Sequence, residues 1–246
     1  MKKFSLIIPI YNEEKIIVKN TERLIKFLNK FSKNYQIILC DNGSTDETPN
    51  LGKRLEKKYP KKIKFIRIEK RGVGHAFKKA VLSSSYNNLI SMDMDLSVDL
   101  NFIPKCLKLL NENSIVVGSK TVGSQERLFY RRFISESYIL LTKFLLGINF
   151  SDYSIGAKGY RKKDIIGKIK EINSGSFYVN MLIYYVKKKN KKVVEIPVFC
   201  HDTRKSKFNL MDEIFYRLKN LLSFWFREKI INKISKPPAQ ESILLI

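Results

Sequence analysis

Asp93 and Asp95 are acidic residues two positions apart, and they offer the clearest starting point for chemistry in this sequence. They follow the short run 88–90, whose Leu89 and Ile90 are typical of a buried strand. Carboxylates at positions i and i+2 of a strand end point to the same side, where they repel each other unless a cation lies between them. Mg²⁺ and Mn²⁺ accept such oxygen ligands and keep coordination positions for substrate phosphates. The pair therefore suggests a metal-assisted site, while a turn capped by Asp and Ser is the simpler alternative.

The elements that would position these acids alternate between strand and helix through the first half of the chain. Apolar runs predict strands at residues 4–10, 36–40, 63–68 and 88–90. Helical spacing of apolar residues predicts helices at residues 16–31, 47–58 and 75–84. This alternation is typical of an α/β fold with a mostly parallel, doubly wound, Rossmann-like sheet and helices on both faces. The first helix is expected to begin with an acidic turn at Glu13 and Glu14, because acids suit helix N-termini.

Three polar clusters fall at the carboxyl ends of predicted strands, at residues 11–13, 41–46 and 93–95. Ligands bind outside the carboxyl ends of the strands in doubly wound sheets, so we expect the three clusters to share one rim. Leu39 lies two residues before Asp41 and would share its face of the strand, where it could form a floor for a planar base.

The segment 71–74, Arg-Gly-Val-Gly, leaves two interpretations open. Backbone amides at a helix N-terminus could cradle a phosphate, although the segment lacks the third glycine of a dinucleotide-binding fingerprint. A tight loop that uses glycine for its backbone freedom is equally consistent with the pattern.

Composition indicates a folded protein with anionic partners. The chain has 246 residues, 44% of them hydrophobic, which is enough for one large α/β domain or two small ones. Its three cysteines lie far apart, so we expect neither a disulfide framework nor a zinc site and place the protein in a reducing compartment. The net charge of +24 favours nucleotides, lipid headgroups or nucleic acid as partners. The first residues are not typical of a signal peptide, and no apolar run approaches the length of a membrane span.

The second half of the chain loses the regular alternation. Residues 154–160 and 193–199 are predicted strands, and residues 176–187 are a predicted helix. A last helix, 209–234, carries apolar and aromatic residues on one face and basic residues on the other. This amphipathic pattern is typical of a helix in a membrane interface, and packing on the protein's own core is the alternative. Residues 235–246 are expected to form a flexible tail.

In order and spacing, these motifs resemble those of family 2 glycosyltransferases of the GT-A fold, especially the synthases of polyprenyl- and dolichyl-phosphate mannose or glucose. The motifs that carry the resemblance are residues 9–14, 41–46, 71–76, 93–97, 118–120, 131–135, 152–161, 195–197 and 206–207. Each motif is short, but together they are specific, and the resemblance covers about residues 3–230. It implies a single GT-A domain at 1–234, with a nucleotide-sugar-binding half at 1–118 and an acceptor half at 119–208.

The resemblance also implies roles for individual residues on the donor side. The family's contacts with the base and ribose fall on Pro9, Tyr11, Glu13, Leu39 and Asp41. Contacts with the diphosphate and the sugar fall on Asp93 and Met94. The main metal ligand falls on Asp95, with Mg²⁺ or Mn²⁺ as the cofactor.

Basic residues complete the implied site. Lys120 stands where the family usually has arginine, and Arg204 and Lys207 match basic residues of a loop that closes over the phosphates. Arg131 and Ser135 match the family's grip on the lipid phosphate. The implied catalytic residues are Asp93, Asp95 and Arg131.

Three positions depart from the family pattern. Asn42 replaces a common aspartate, Glu136 replaces an arginine, and Lys158 stands near a usual arginine. These departures bear on the sugar and the acceptor, and they leave the expected fold unchanged.

The class of acceptor is indicated by a missing carboxylate. A sugar hydroxyl needs a general base, whereas a phosphate monoester with a second pKa of about 6 is already anionic at neutral pH. Family 2 enzymes that act on hydroxyls place a carboxylate late in the domain, yet no Asp or Glu occurs between Glu171 and Glu195. The absence favours a phosphate acceptor, and Asp152 is the best remaining base candidate for a hydroxyl acceptor.

Together these observations predict an inverting, metal-dependent transfer of mannose or glucose from GDP-mannose or UDP-glucose to a polyprenyl (dolichyl) phosphate. We expect the enzyme to be cytoplasmic and peripheral on the inner face of a membrane, with no nucleic acid as partner. A glycosyltransferase with a sugar-hydroxyl acceptor is the first alternative. A non-catalytic nucleic-acid-binding or scaffold protein is the remote one, because only the net charge supports it.

Overall fold

The described residues of the chain form one seven-stranded sheet covered by helices. The structure is a computed structural model that describes residues 3–69, 71–120, 129–200 and 210–231, with the backbone alone at 129–133, 135, 210–213 and 231. The strands are β1 (Phe4–Ile10), β2 (Tyr35–Asn42), β3 (Ile63–Ile68), β4 (Asn88–Ser91), β5 (Ile115–Ser119), β6 (Lys158–Arg161) and β7 (Val193–Pro197). The α-helices are α1 (Ile17–Leu28), α2 (Thr48–Lys58), α3 (Val73–Ser83), α4 (Phe102–Leu109), α5 (Phe129–Leu146), α6 (Lys162–Ile165), α7 (Tyr178–Lys188) and α8 (Leu210–Phe226). Two further turns are a 3₁₀ helix at Ile166–Glu171 and a π-helix at Arg227–Ile231.

The strands lie across the sheet in the order β3-β2-β1-β4-β6-β5-β7. Neighbouring strands are parallel except around β6, which runs antiparallel to both β4 and β5. The chain therefore winds outward from β1 to β3 and returns to β4 on the other side of β1. A crevice opens at such a reversal, outside the carboxyl ends of the two central strands. The predicted fold class, a mostly parallel and doubly wound α/β sheet, is confirmed.

Two apolar cores lie on the two faces of the sheet, because successive side chains of a strand point to opposite faces. On β1, Ile7 enters a core shared with α3, α5, α7 and α8, while Leu6 and Ile8 enter a core shared with α1, α2 and α4. All three side chains are fully buried. A sheet covered on both faces requires the near-continuous apolar runs from which the strands were predicted.

The strand predicted at residues 154–160 is shorter in the structure, because β6 begins only at Lys158. Asp152 accepts hydrogen bonds from the backbone amides of Ser154 and Ile155, and this turn takes the preceding residues out of the sheet. Since β6 is antiparallel, its first residue lies at the rim where β4 and β5 end.

The acidic first turn predicted for the first helix is wrong. α1 begins at Ile17 and has no acid in its first turn, so Glu13 and Glu14 precede the helix. Asn12 has a positive φ of 53°, which turns the chain sharply after β1. The main-chain oxygen of Glu13 then accepts a hydrogen bond of 2.9 Å from the Ile17 amide.

The last helix packs with one side on the protein and exposes large apolar residues on the other. Its inner side packs on the protein's own core, where Leu221 and Phe224 are buried. Its outer side leaves a stripe of large apolar residues at least half exposed: Phe215, Leu222 and Phe226. Among the described residues, every helix is too short or too polar to span a membrane.

The start of α3 packs closely against a loop that α8 covers. The Gly74 amide donates a hydrogen bond of 2.8 Å to the Ser174 carbonyl. A Cβ atom added to Gly74 would collide with the carbonyl oxygens of Asn173 and Gly175. The amide of Gly175 in turn donates to the Tyr216 hydroxyl of α8 at 2.9 Å. Glycine at position 74 therefore permits a close contact between backbones.

Replacing Gly74 by alanine should lower the free energy of unfolding by about 1–3 kcal/mol, the usual cost of overpacking. The matched control Gly167→Ala should change it by less than about 1 kcal/mol, because a Cβ atom there meets open space. Urea unfolding followed by circular dichroism compares both variants with the unmodified protein. Equal stability of the two variants would contradict the close packing described for α3.

Candidate active site

The acid pair lies at the rim of the sheet, directly after β4. β4 ends at Ser91, which pairs with Ile7 of β1, and the Met92 amide of the loop that follows donates to the Ile7 carbonyl at 3.1 Å. Along this loop Met92 and Met94 are buried, whereas Asp93 is exposed and Asp95 is half-buried. This alternation of buried and accessible side chains places both acids on the open side of the loop. Because the Met94 side chain is buried, only its main chain could contact a ligand.

Hydrogen bonds fix the loop that carries the acids. Asn20 of α1 donates its side-chain amide to the Met94 carbonyl at 2.8 Å. The Ser97 amide donates to the Asp95 carboxylate at 3.0 Å, and Leu96 between them has a positive φ of 53°. The backbone thus presents the acids through contacts that exist without a ligand.

The charges around Asp93 explain why a cation fits this position. Surrounding protein raises the pKa of Asp93 even though the side chain reaches solvent, and the charge of Asp95 raises it further. Lys158, Lys120 and the Gly156 amide act in the opposite direction. Two repelling carboxylates at an open crevice form a hard oxygen donor set that suits Mg²⁺ or Mn²⁺. Within the described ranges, no three His, Cys, Asp or Glu side chains are grouped so that they could hold a metal ion by themselves.

Gly156 packs directly against the Asp93 carboxylate. A Cβ atom added at Gly156 would overlap both carboxylate oxygens, so a larger residue would displace the acid. The Gly156 amide also forms a hydrogen bond with Asp93. This contact joins the acid pair to the second half of the chain. The hydrophobic periodicity of the sequence does not predict it.

The loops after β1 and β2 are tied together beside the acid pair. The Asn12 amide donates to the Ser44 hydroxyl at 2.9 Å, and the Glu13 amide donates to the Thr48 hydroxyl at 2.7 Å. Two polar clusters predicted at separate strand ends therefore form one continuous surface, as expected for carboxyl ends that meet at a single rim.

The turn before α3 is a packed turn, which favours the tight-loop interpretation over a phosphate cradle. The Gly72 amide donates to the side-chain oxygen of Asn42 at 2.5 Å, and the Gly74 amide is engaged as described above. Asn42 can therefore replace an aspartate without loss of this contact, because an amide oxygen accepts the hydrogen bond as a carboxylate would. Arg71 extends over the ring of Tyr11, with its guanidinium carbon 4.1 Å from the ring centroid.

Asp41 and Leu39 share one face of β2, and both are fully buried. The Nε atom of Arg67 lies 3.7 Å from Oδ2 of Asp41, and the Ser44 amide donates to Oδ1 at 3.1 Å. Among the described residues no hydrogen-bond donor reaches Oδ2. Pro9 on the neighbouring strand is half-buried. The floor predicted at Leu39 is therefore covered by protein in this structure.

Asp152 is buried and its carboxylate is already engaged. Oδ1 accepts hydrogen bonds from the Ser154 amide at 2.8 Å, the Ser154 hydroxyl at 2.7 Å and the Ile155 amide at 3.2 Å. Burial alone would raise the pKa of Asp152, but Lys158, Ser154 and Lys120 together lower it. A carboxylate with a lowered pKa and several hydrogen bonds is a poor general base.

Tyr178 begins α7, in the segment where the sequence lacks a carboxylate. The side chain is buried, and its ring stacks on Phe77 with centroids 4.5 Å apart. Burial and the charge of Asp93 raise the pKa of Tyr178. The hydroxyl therefore keeps its proton near Asp93 and offers a hydrogen bond. Sequence reasoning missed this residue, because a tyrosine in an aromatic helix is typical of core packing.

The remaining predicted residues lie on the acceptor side. Lys120 follows β5 and is half-buried, with its amide 3.4 Å from Oδ2 of Asp152. Arg131 and Ser135 lie four residues apart on α5, hence on one side of the helix, where the structure describes the backbone alone. Arg204 and Lys207 lie outside the described residues.

Two solved structures with a similar fold are sugar-phosphoglycerate synthases. Mannosyl-3-phosphoglycerate synthase from Rubrobacter xylanophilus has a TM-score of 0.69 at 13% identity, covering 96% of this chain and 78% of that one. Glucosyl-3-phosphoglycerate synthase from Mycobacterium tuberculosis, in complex with Mn²⁺ and UDP-glucose, has a TM-score of 0.61 at 14% identity, covering 91% and 79%. At these identities the likeness establishes the fold, and the predicted GT-A fold is confirmed.

The chain belongs to glycosyl transferase family 2, whose sequence profile matches residues 5–167. Dolichol-phosphate mannosyltransferase from Pyrococcus furiosus is 31% identical over 201 residues, covering 79% of this chain and 55% of the relative. Undecaprenyl-phosphate 4-deoxy-4-formamido-L-arabinose transferase from Pectobacterium atrosepticum is 26% identical over 223 residues, covering 90% and 66%. The chain thus spans between about half and two thirds of the length of these curated relatives. The family that the motifs indicated is confirmed.

The lowered pKa of Asp152 predicts a contribution to stability that acid removes. Its folded-state pKa lies below the ordinary value of 3.8, so the charged carboxylate stabilises the fold above that pH and the contribution is lost as the pH falls through the folded value. Asp152→Asn should therefore lower the free energy of unfolding at about pH 7, with a difference that shrinks below about pH 4. Denaturant unfolding at several pH values measures this, with Asp99→Asn at an exposed position as the control. A difference that is independent of pH would contradict it.

Proposed function

We propose that this protein transfers a hexose from a nucleotide-diphosphate sugar to a polyprenyl phosphate, with a divalent metal ion and inversion at the sugar. The observation that carries the proposal is an acid pair at the crevice whose described neighbours include no available base. Asp152 is engaged in hydrogen bonds, and Tyr178 keeps its proton. The names of the relatives, which refer to dolichol phosphate and undecaprenyl phosphate, support the same class of acceptor.

The donor would lie across the crevice between β1 and β4. Asp95 would be the main protein ligand of Mg²⁺ or Mn²⁺, while Asp93 and the main chain of Met94 would contact the diphosphate and the sugar. The residues that the family resemblance assigns to the base and ribose are Pro9, Tyr11, Glu13, Leu39 and Asp41, although Leu39 and Asp41 are fully buried in this structure. The Mycobacterium tuberculosis synthase that binds Mn²⁺ and UDP-glucose supports a donor of this kind on the same fold. We propose GDP-mannose or UDP-glucose as the donor.

The chemical step is governed by negative charge that develops on the leaving diphosphate. A bound divalent ion would stabilise that charge as a Lewis acid. Lys120, at the end of β5 beside the acids, would add a positive charge to the same region. Arg204 and Lys207 are proposed to do so from the segment that follows β7.

A phosphate acceptor removes the need for a base, because its oxygen is already charged near neutral pH. Arg131 and Ser135 are proposed to hold this phosphate, since arginine binds phosphate oxygens in a bidentate manner and serine donates a hydrogen bond. A single displacement by the phosphate oxygen inverts the configuration of the sugar. The protonated hydroxyl of Tyr178 would donate a hydrogen bond near Asp93 and would not act as a base.

The outer faces of α5 and α8 suit the surface of an anionic membrane. Phe144 of α5 is 84% exposed, and the stripe on α8 adds three large apolar residues. The exposed basic residue Lys219 lies on the same helix. Exposed aromatic and basic residues on packed helices are typical of interfacial binding to anionic lipid. α5 also carries Arg131 and Ser135, so the proposed phosphate grip and the membrane face share one helix. We propose peripheral attachment at the cytoplasmic face.

Radiolabelled GDP-mannose and UDP-glucose, offered with dolichyl phosphate, free sugars and phosphoglycerate, test the acceptor. We expect label in the organic phase only with dolichyl phosphate, because the described part of the site offers no available base for a hydroxyl. Label that enters only sugars or phosphoglycerate would overturn the phosphate acceptor while leaving the transferase.

Substituting Asp95→Asn should lower metal-dependent turnover by about 10²-fold to 10³-fold, the range found when a group that stabilises developing charge is lost. Asp99→Asn, four residues further along the same loop, should retain activity, because the Asp99 side chain is exposed and accepts a hydrogen bond from the nearby Asn101 amide. Initial rates over a series of Mn²⁺ concentrations measure the effect. Full activity of the Asp95 variant would exclude a metal-centred site here.

Replacing Phe215 and Phe226 together by serine should weaken binding to vesicles that contain anionic lipid by about 10-fold or more, since each side chain is worth about 1.5–3 kcal/mol when buried. Leu82→Ser is the control, because Leu82 is 50% exposed but belongs to α3, which is not one of the two helices of the proposed face. Vesicle sedimentation at two salt concentrations measures binding. Equal losses in both variants would argue against a membrane face on α8.

A further inference from the structure

Lys158 is a buried lysine at the rim of the sheet, and the roles proposed above do not use it. It is the first residue of β6 and pairs with Ser91 of β4 on one side and Val117 of β5 on the other. Its exposed fraction is 3%. Since β6 is antiparallel to β4, Lys158 lies beside Ser91, the last residue of β4, and Ser91 is two residues before Asp93.

A buried ammonium group is costly unless opposite charges compensate for it. The pKa of Lys158 is lowered to about 8, mainly by burial; Asp152 and Asp93 act to raise it, and Arg217 and Lys120 act to lower it. Lys158 therefore stays mainly protonated at neutral pH. The interaction is mutual, because the lysine favours the charged form of both carboxylates.

Hydrogen bonds connect Lys158 to the turn that packs against Asp93. Its Nζ atom donates to the carbonyl of Ile155. The Ile155 amide donates to Asp152 at 3.2 Å, and the next residue, Gly156, lies against the carboxylate oxygens of Asp93. The lysine, the turn and the acid therefore form one contiguous unit. Loss of the lysine's charge would remove one of the two lysine charges, those of Lys158 and Lys120, that favour the charged form of both carboxylates.

We propose that Lys158 is a positioning residue, an internal counter-charge that holds Asp93 and Asp152 so that Asp93 faces the metal and diphosphate of the donor. The inference rests on the proposed function, because it concerns the same donor site. A positioning role differs from a role in stability alone, because it predicts that a Lys158 variant that still folds binds nucleotide and metal more weakly. Residues that orient metal-binding groups in this way tune affinity without touching the substrate.

The test compares Lys158→Met with Lys158→Arg and with the exposed control Lys163→Met. Calorimetry measures the binding of GDP and of UDP with Mn²⁺, and steady-state kinetics separate kcat from the KM of the donor. The methionine variant should bind nucleotide with Mn²⁺ about 10-fold to 100-fold more weakly, the usual effect of losing a residue that orients a metal ligand. Its kcat should fall by about 10²-fold, as expected for a misplaced group. The arginine variant keeps the charge and should recover most of both, and the Lys163 variant should match the unmodified protein.

If Lys158→Met does not fold, the double variant Lys158→Met with Asp152→Asn replaces it, because it removes one buried acid together with the lysine. The same loss of nucleotide binding is expected. Unchanged binding and kcat in a folded variant without the charge would overturn the inference, as would an arginine variant that recovers neither. If the unmodified protein binds nucleotide and Mn²⁺ but glycosylates no polyprenyl phosphate, the proposed function fails while the binding data still decide the role of Lys158. Absence of nucleotide binding by the unmodified protein would overturn both.

Discussion

Repulsion between two carboxylates at one strand end is the constraint on which the rest of this structure depends. Asp93 lies where both the surrounding protein and Asp95 disfavour its charge, so the pair is unfavourable unless positive charge is supplied. The protein supplies part of it from behind, through Lys158 and Lys120. We propose that a cation and a diphosphate bind on the open side of the loop. Positive charge at that position would relieve the repulsion between Asp93 and Asp95.

The topology of the sheet brings the compensating groups to the acids. β6 is the one reversed strand of the described sheet, and it inserts between β4 and β5. A parallel strand here would start at the opposite edge and place its first residue far from the rim. Reversal instead puts Lys158 and the preceding Gly156 beside the loop of Asp93. The second half of the chain thus completes a site whose acids come from the first half.

Much of the fold could be predicted, because strands covered on both faces have apolar runs that are easy to recognise. β1 and β3 begin and end where their apolar runs do. The start of α1 could not be predicted, because the positive φ of Asn12 leaves no mark on the apolar pattern. Within the site, the rim was predictable from three polar clusters. The contacts of Gly156 with Asp93 and of Arg67 with Asp41 were not, because they depend on which strands become neighbours.

We propose that the open side of the acid pair binds a cation and a nucleotide diphosphate at the reversal between β1 and β4. Paramagnetic broadening of backbone amide resonances by Mn²⁺, recorded with and without GDP or UDP, tests this binding, because it reports which residues lie near the ion. We expect the nucleotide to sharpen the effect onto residues 93–97 and the neighbouring loops at 11–13 and 41–46. Broadening confined to other acidic surfaces, and indifferent to the nucleotide, would contradict the account.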